Sequence, residues 1–143
     1  MKARQERELL RLADATRRIG RELLIEIIAG KNGEVGPNTV ARVLARLYAI
    51  GVKPDWWKLE AQASDAAWRN VAAVVEANDP LCRGVMLLGL EAPEQDLAEA
   101  FGIARRCEWV RGFAVGRTIC TSARVGASGA STILRSVTPT SIR

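Results

Sequence analysis

The chain has 143 residues, 48% of them apolar, which suits one domain of ordinary size with a core of its own, and no apolar run is long enough to span a bilayer. It contains no histidine, which removes Ser-His-Asp and Cys-His machinery and leaves acid–base work to Glu, Asp, Lys, Tyr or Cys. The net charge is +5, but residues 120–143 hold Arg124, Arg135 and Arg143 and no acid, so the basicity belongs mostly to that segment and does not mark a nucleic-acid footprint.

Residues 3–19 carry Leu9, Leu12, Ala13 and Ile19 at helical spacing, and Gly20 is a natural stop. The charged stretch MKARQERELLRLADATRR has no apolar centre and is not read as a secretory signal. ELLIEIIAG (22–30) is a short isoleucine-rich run that suits a buried strand. Pro37 fits the first turn of a second helix with Val40, Val43, Leu44 and Leu47 on one face, ending at Gly51. DWWKLE then predicts a second strand. Ser64 is a candidate N-cap for a helix carrying Trp68, Val71, Val74 and Val75 to about Ala77. RGVMLLGL (83–90) predicts a third strand. Pro93 opens a helix with Leu97, Phe101 and Ala104 inward, and WVRGFAVGRTI (109–119) predicts a fourth strand.

The strands recur roughly every 30 residues, the size of a βαβ unit. Strict alternation of strand and helix predicts a parallel sheet, either doubly wound or part of a (β/α)8 barrel. A whole barrel needs about 250 residues, so this length provides about half of one. Residues 120–143 break the pattern: they are rich in Ser, Thr and Gly, and no amphipathic helix follows the fourth strand. A naturally flexible tail and a shift of reading frame near Cys120 both account for them. The expected division is therefore a partial barrel over 1–119 and an irregular, disordered tail over 120–143.

Strand alternation places Trp56, Lys58 and Glu60 on one face and Trp57 and Leu59 on the other. On the first strand it places Leu24, Glu26 and Ile28 inward and Leu23, Ile25 and Ile27 toward the helices. Two strands thus send ionisable groups into the same interior, where an unpaired charge is costly. One reading is a Lys–Glu pair that fixes packing. The other is an amine nucleophile: a desolvated amine has its neutral form favoured, and the lone pair can then attack a carbonyl to form a Schiff base. Candidate catalytic residues are Lys58, Glu26 and Glu60. In the last strand Gly112, Ala114 and Gly116 share a face and Arg117 follows at its end, while Gly89 sits at the corresponding end of the third. Small residues there let backbone N–H groups approach phosphate oxygens, which makes Gly89, Gly116 and Arg117 candidate phosphate-binding residues. Cys82, Cys107 and Cys120 form no CxxC pair or zinc set. No metal or cofactor is expected, and a reduced, cytoplasmic setting is.

VKPDWWKLE, CRGVMLLGLEAP and VRGFAVGRTI, in that order, resemble an aldolase-like domain of myo-inositol catabolism, over about residues 8–119. That domain is often fused behind 5-dehydro-2-deoxygluconokinase, a sugar kinase. It is linked to cleavage of 2-deoxy-5-keto-gluconate 6-phosphate into dihydroxyacetone phosphate and malonate semialdehyde. More distantly, the chain is similar to class I tagatose-bisphosphate aldolases, which carry a Lys-Val-Glu strand, a glutamate on the preceding strand and a Gly-Arg phosphate site on the last. The resemblance implies a Schiff-base lysine at Lys58, a proton-moving carboxylate at Glu26 and phosphate contacts at Gly116 and Arg117. It also implies that this segment is the second half of a barrel. The first four strands and the kinase domain are not in this sequence, and the family pattern stops after Thr118-Ile119. The expected activity is an aldolase-type lyase acting on a phosphorylated keto sugar acid. The competing expectation is a truncated, non-catalytic half-barrel module that binds a sugar phosphate or a partner chain. Expected partners are the phosphorylated substrate and either a second copy or an N-terminal half-barrel or kinase, with no nucleic acid and no membrane.

Overall fold

The computed structural model describes residues 3–30, 33, 35–88 and 94–114. The elements alternate as α1 (Ala3–Arg18), β1 (Leu24–Ile27), α2 (Thr39–Ala49), β2 (Trp56–Glu60), α3 (Asp65–Asn78), β3 (Gly84–Leu88), α4 (Glu94–Ala104) and β4 (Val110–Ala114). The four strands form one parallel sheet in the order β1-β2-β3-β4. A doubly wound sheet reverses its strand order and places helices on both faces. Here the order follows the chain, and Ile25, Trp57, Leu59, Val85 and Leu87 all pack on the side that carries the helices. The arrangement is a (β/α)4 unit of barrel type. The ends of the expected third and fourth strands, Gly89, Gly116 and Arg117 among them, lie outside the described residues, as does the 120–143 segment.

The helices form close to where the pattern predicts them, for local reasons that can be named, although α2 begins at Thr39 with Asn38 as its N-cap, so Pro37 precedes the helix instead of opening it. Ser64 accepts a hydrogen bond from the Ala67 N–H at 3.2 Å and caps α3, which opens on Asp65. Gly51, at φ +93°, turns the chain after α2, so that Val52 and Pro54 lead back into the sheet. Val40, Leu44 and Leu47 of α2 and Val71 and Val75 of α3 interlock with Trp57 and Leu59 below them. Each fully buried aliphatic side chain contributes about 1.5–3 kcal/mol before conformational entropy is counted. Tyr48 and Trp57 meet edge to face at 5.5 Å, and the indole N–H donates to the Tyr48 hydroxyl at 2.7 Å. Burial pushes the Tyr48 hydroxyl pKa far up and that of the Cys82 thiol up, so both are neutral packing groups.

Two expectations change. The first helix stops at Arg18, and Leu12 and Ile19 do not join the core: they are 48% and 69% exposed, while Ala13 is buried and Leu9 partly so. Its apolar stripe is wider than the surface that covers it. The first strand is also shorter than the isoleucine-rich run, because the chain leaves the sheet after Ile27 into the turn at Ala29 and Gly30.

Candidate functional site

The register brings one row of residues across the sheet: Glu26 opposite Lys58, Lys58 opposite Met86, and Met86 opposite Gly112. All four lie on the face away from the helices. Lys58 Nζ stands 2.8 Å from Glu26 Oε1, with the two side chains 23% and 39% exposed. The lysine and the carboxylate picked out by strand alternation are thus brought together, on neighbouring strands and in direct contact. The pair is half-buried, where an opposite charge offsets part of the cost of desolvation. A β-carbon placed on Gly112 would meet Met86 Cε at 3.4 Å, so the Met86 side chain leans over β4, away from Lys58.

Glu60 shares this face but is differently engaged. It is buried, and its Oε2 accepts from the backbone N–H groups of Ala29 at 2.7 Å and Gly30 at 3.0 Å. The Gln62 amide donates to the Glu60 carbonyl at 2.8 Å. Glu60 therefore fastens the turn that leaves β1 to the end of β2. Glu26 lies on the strand just before that turn, so the clamp sets where Glu26 sits relative to Lys58. Gly30 leaves room for the carboxylate: a β-carbon there would lie 3.0 Å from Glu60 Oε1.

A second clamp holds the opposite end of the sheet, and no motif in the sequence announced it. Asp55 Oδ2 accepts from the Leu23 N–H at 2.8 Å, and the Trp56 N–H donates to the Leu23 carbonyl at 3.0 Å. The Trp56 indole donates to Glu22 at 2.8 Å, and Arg83 pairs with Glu22 at 3.1 Å. Trp56, adjacent to the site in sequence, is thereby held at the N-terminal end of the strands.

Two open clefts lie elsewhere, and neither is lined by Lys58 or Glu26. One, of about 490 Å³, runs between α4 and β4 past Phe101, Val110 and Phe113. The other, of about 360 Å³, lies between α3 and the turn before β4. Asp65 Oδ1 and the Trp68 indole N–H line the second and are buried without a partner among the described residues. They are an acceptor and a donor one turn apart on α3, and the other oxygen of Asp65 accepts from Arg106 at 2.9 Å. No helix among the described residues is long and apolar enough to cross a membrane.

A sequential parallel sheet with helices on one face and a lysine–carboxylate pair on the other defines a TIM-barrel-like α/β domain, a fold consistent with aldolase-type enzymes. The chain belongs to the DUF2090 family, described as an uncharacterized protein conserved in bacteria, whose model matches residues 1–126. That match continues past Ile119. No curated protein matches the chain.

Proposed function

We infer that this chain carries the imine-forming half of an aldolase-type lyase, with Lys58 as the amine that attacks a substrate ketone. The observation that carries the reading is the 2.8 Å contact between Lys58 Nζ and Glu26 Oε1 across two parallel strands. It supports the reading because an amine and a carboxylate stand within one hydrogen bond of each other, on the sheet face away from the helices. The substrate class is a phosphorylated keto sugar acid, such as 2-deoxy-5-keto-gluconate 6-phosphate, and the setting is the cytoplasm.

The chemistry balances as follows. The Lys58 amine adds to the C5 carbonyl, and loss of water gives a protonated imine. Glu26, as carboxylate, takes the proton from the C3 hydroxyl as the C3–C4 bond breaks. The bonding electrons pass into the imine as an enamine, and C3 leaves as the aldehyde of malonate semialdehyde. Glu26 returns the proton to C4, and water hydrolyses the imine to release dihydroxyacetone phosphate and the free amine. Gly89, Gly116 and Arg117 are assigned to the phosphate, where an arginine fork and backbone N–H groups suit its oxygens. Glu60 acts in this scheme through the backbone it holds.

The test is reduction with borohydride in the presence of dihydroxyacetone phosphate, followed by peptide mass spectrometry. The expected result is a reduced three-carbon phosphate adduct on Lys58 that is absent from a Lys58→Arg variant, because a guanidinium stays protonated. A folded native chain that gives no adduct on Lys58 overturns the assignment and leaves the pair as packing.

A further inference from the structure

The cleft of about 360 Å³ between α3 and the turn before β4 lies on the helical side of the sheet and shares no residue with the row that carries Lys58 and Glu26. Its volume falls within the range of small-molecule sites, about 300–1,000 Å³. Ala72, Ile103 and Trp109 give it apolar surface. Two polar atoms of its lining residues lack partners. Trp68 is 2% exposed, yet its indole N–H has no acceptor among the described residues. The Trp56 and Trp57 indoles both have one, Glu22 and the Tyr48 hydroxyl, so Trp68 stands apart from them. Asp65 Oδ1, one turn earlier on α3, is buried without a donor among the described residues.

A buried donor or acceptor without a partner costs free energy, and a bound group that satisfies it recovers that cost. A donor and an acceptor side by side select a ligand that both accepts and donates. Hydroxyl groups do both, whereas an ionised carboxylate only accepts and an ammonium only donates. Charge around the cleft agrees. Arg69 and Arg106 line it together with Asp65, Glu76 and Glu108, so cations and anions nearly cancel and neither a strong anion nor a strong cation is favoured. Arg106 holds the other Asp65 oxygen at 2.9 Å, and its side chain is 65% exposed. A surface ion pair of that kind holds weakly, so Arg106 can release Asp65 to a ligand without disturbing the core.

We propose that this cleft is a second ligand site, which takes a neutral polyhydroxyl compound of monosaccharide size, with hydroxyls accepting from the Trp68 indole N–H and donating to Asp65 Oδ1. The apolar surface of Ile103 and Trp109 suits the C–H faces of such a compound, and the charged side chains of Arg69, Glu76 and Glu108 suit its remaining hydroxyls. The site is built from α3 and the segment 103–109 alone. It therefore does not depend on the chemistry inferred for Lys58.

Cys107 lines the cleft and is partly buried, so its thiol reports occupancy. The experiment follows alkylation of Cys107 by iodoacetamide, read by peptide mass spectrometry, on the 143-residue chain. Glucose, mannose, ribose and sorbitol are the probes, at up to about 10 mM, with inorganic phosphate as the charged comparison. At least one of the neutral compounds is expected to slow alkylation saturably, by about fivefold or more, and phosphate is expected to leave it unchanged. Trp68→Phe removes the N–H and keeps an aromatic ring; Asp65→Asn keeps the shape and weakens the acceptor. Each is expected to raise the concentration needed for protection by about tenfold. Three results overturn the proposal: no protection of the folded native chain by any of the neutral compounds, protection by phosphate equal to theirs, and protection unchanged in the folded Asp65→Asn variant. The native chain alone decides the first two, and Asp65 is a partly exposed residue at the start of α3, so a Trp68→Phe variant that failed to fold would not rescue the idea.

Discussion

Replacing Glu60 with alanine removes the acceptor of two backbone hydrogen bonds, from Ala29 at 2.7 Å and Gly30 at 3.0 Å. Hydrogen bonds to a charged group contribute about 1.5–3 kcal/mol each. Ala29 is half-buried and Gly30 exposed, so water can recover part of what is lost. The net cost is therefore about 2–3 kcal/mol, below the sum of two full bonds. Gly30→Ala probes the same clamp from the other side. Its new β-carbon would lie 3.0 Å from Glu60 Oε1, and a carboxylate held by two N–H groups has little freedom to retreat. In the native background that substitution should cost about 1 kcal/mol. In the Glu60→Ala background the clash is gone, and lowered entropy of the unfolded chain makes Gly30→Ala neutral or stabilising by up to about 0.5–1 kcal/mol. Urea unfolding followed by tryptophan fluorescence measures all four corners of the cycle. A cost below about 0.5 kcal/mol for Glu60→Ala, or strictly additive effects, would refute the clamp.

Other positions give sharper contrasts. Gly84→Ala should cost at least about 3 kcal/mol or prevent folding, because φ is +140° and the new β-carbon would collide with the Arg111 side chain and lie 2.8 Å from the Trp109 carbonyl; expression and thermal unfolding check it. Tyr48→Phe should cost about 1–3 kcal/mol, since it strands the buried Trp57 indole N–H, and the double variant Tyr48→Phe/Trp57→Phe should cost less than the two singles added together. Glu6 has its pKa lowered, chiefly by its hydrogen bond with Arg46, so the pair stabilises above the ordinary glutamate value of 4.5 and this contribution is lost as the pH falls through the lowered pKa. The stability gap between native protein and Glu6→Gln, read by urea unfolding across pH, should be present at pH 7, close on the acid side and shrink in high salt.

Alternation did most of the work in reading the fold. A period near 30 residues with a strand in each repeat leaves little besides a parallel sheet, and the side-chain period of two then puts Lys58 and Glu26 on one face. Whether the two would touch depends on register, and register is fixed by long-range packing of Ile25, Trp57 and Val85 that no local pattern states. The role of Glu60 was hidden for a related reason. Its partners are backbone N–H groups of a turn thirty residues earlier, and backbone groups carry no signature in the sequence. The partial exposure of α1 was hidden because periodicity shows which stripe is apolar but not how much of it finds cover.

The carboxylates on the sheet's open face can be sorted by what they already hold. Glu60 spends Oε2 on two backbone donors and is buried with its charge committed to the fold. Glu26 holds the Lys58 amine and, among the described residues, nothing else. A group tied to the main chain cannot swing without opening the turn it secures, whereas a group bound to one side chain can exchange that partner for another. On this open face the hydrogen bonds alone separate the two carboxylates: Glu60 secures the turn after β1, and Glu26 holds the Lys58 amine. The same division explains why the two residues deserve different substitutions. Removing Glu60 should be felt first in stability, and removing Glu26 first in whatever proton transfer the face supports.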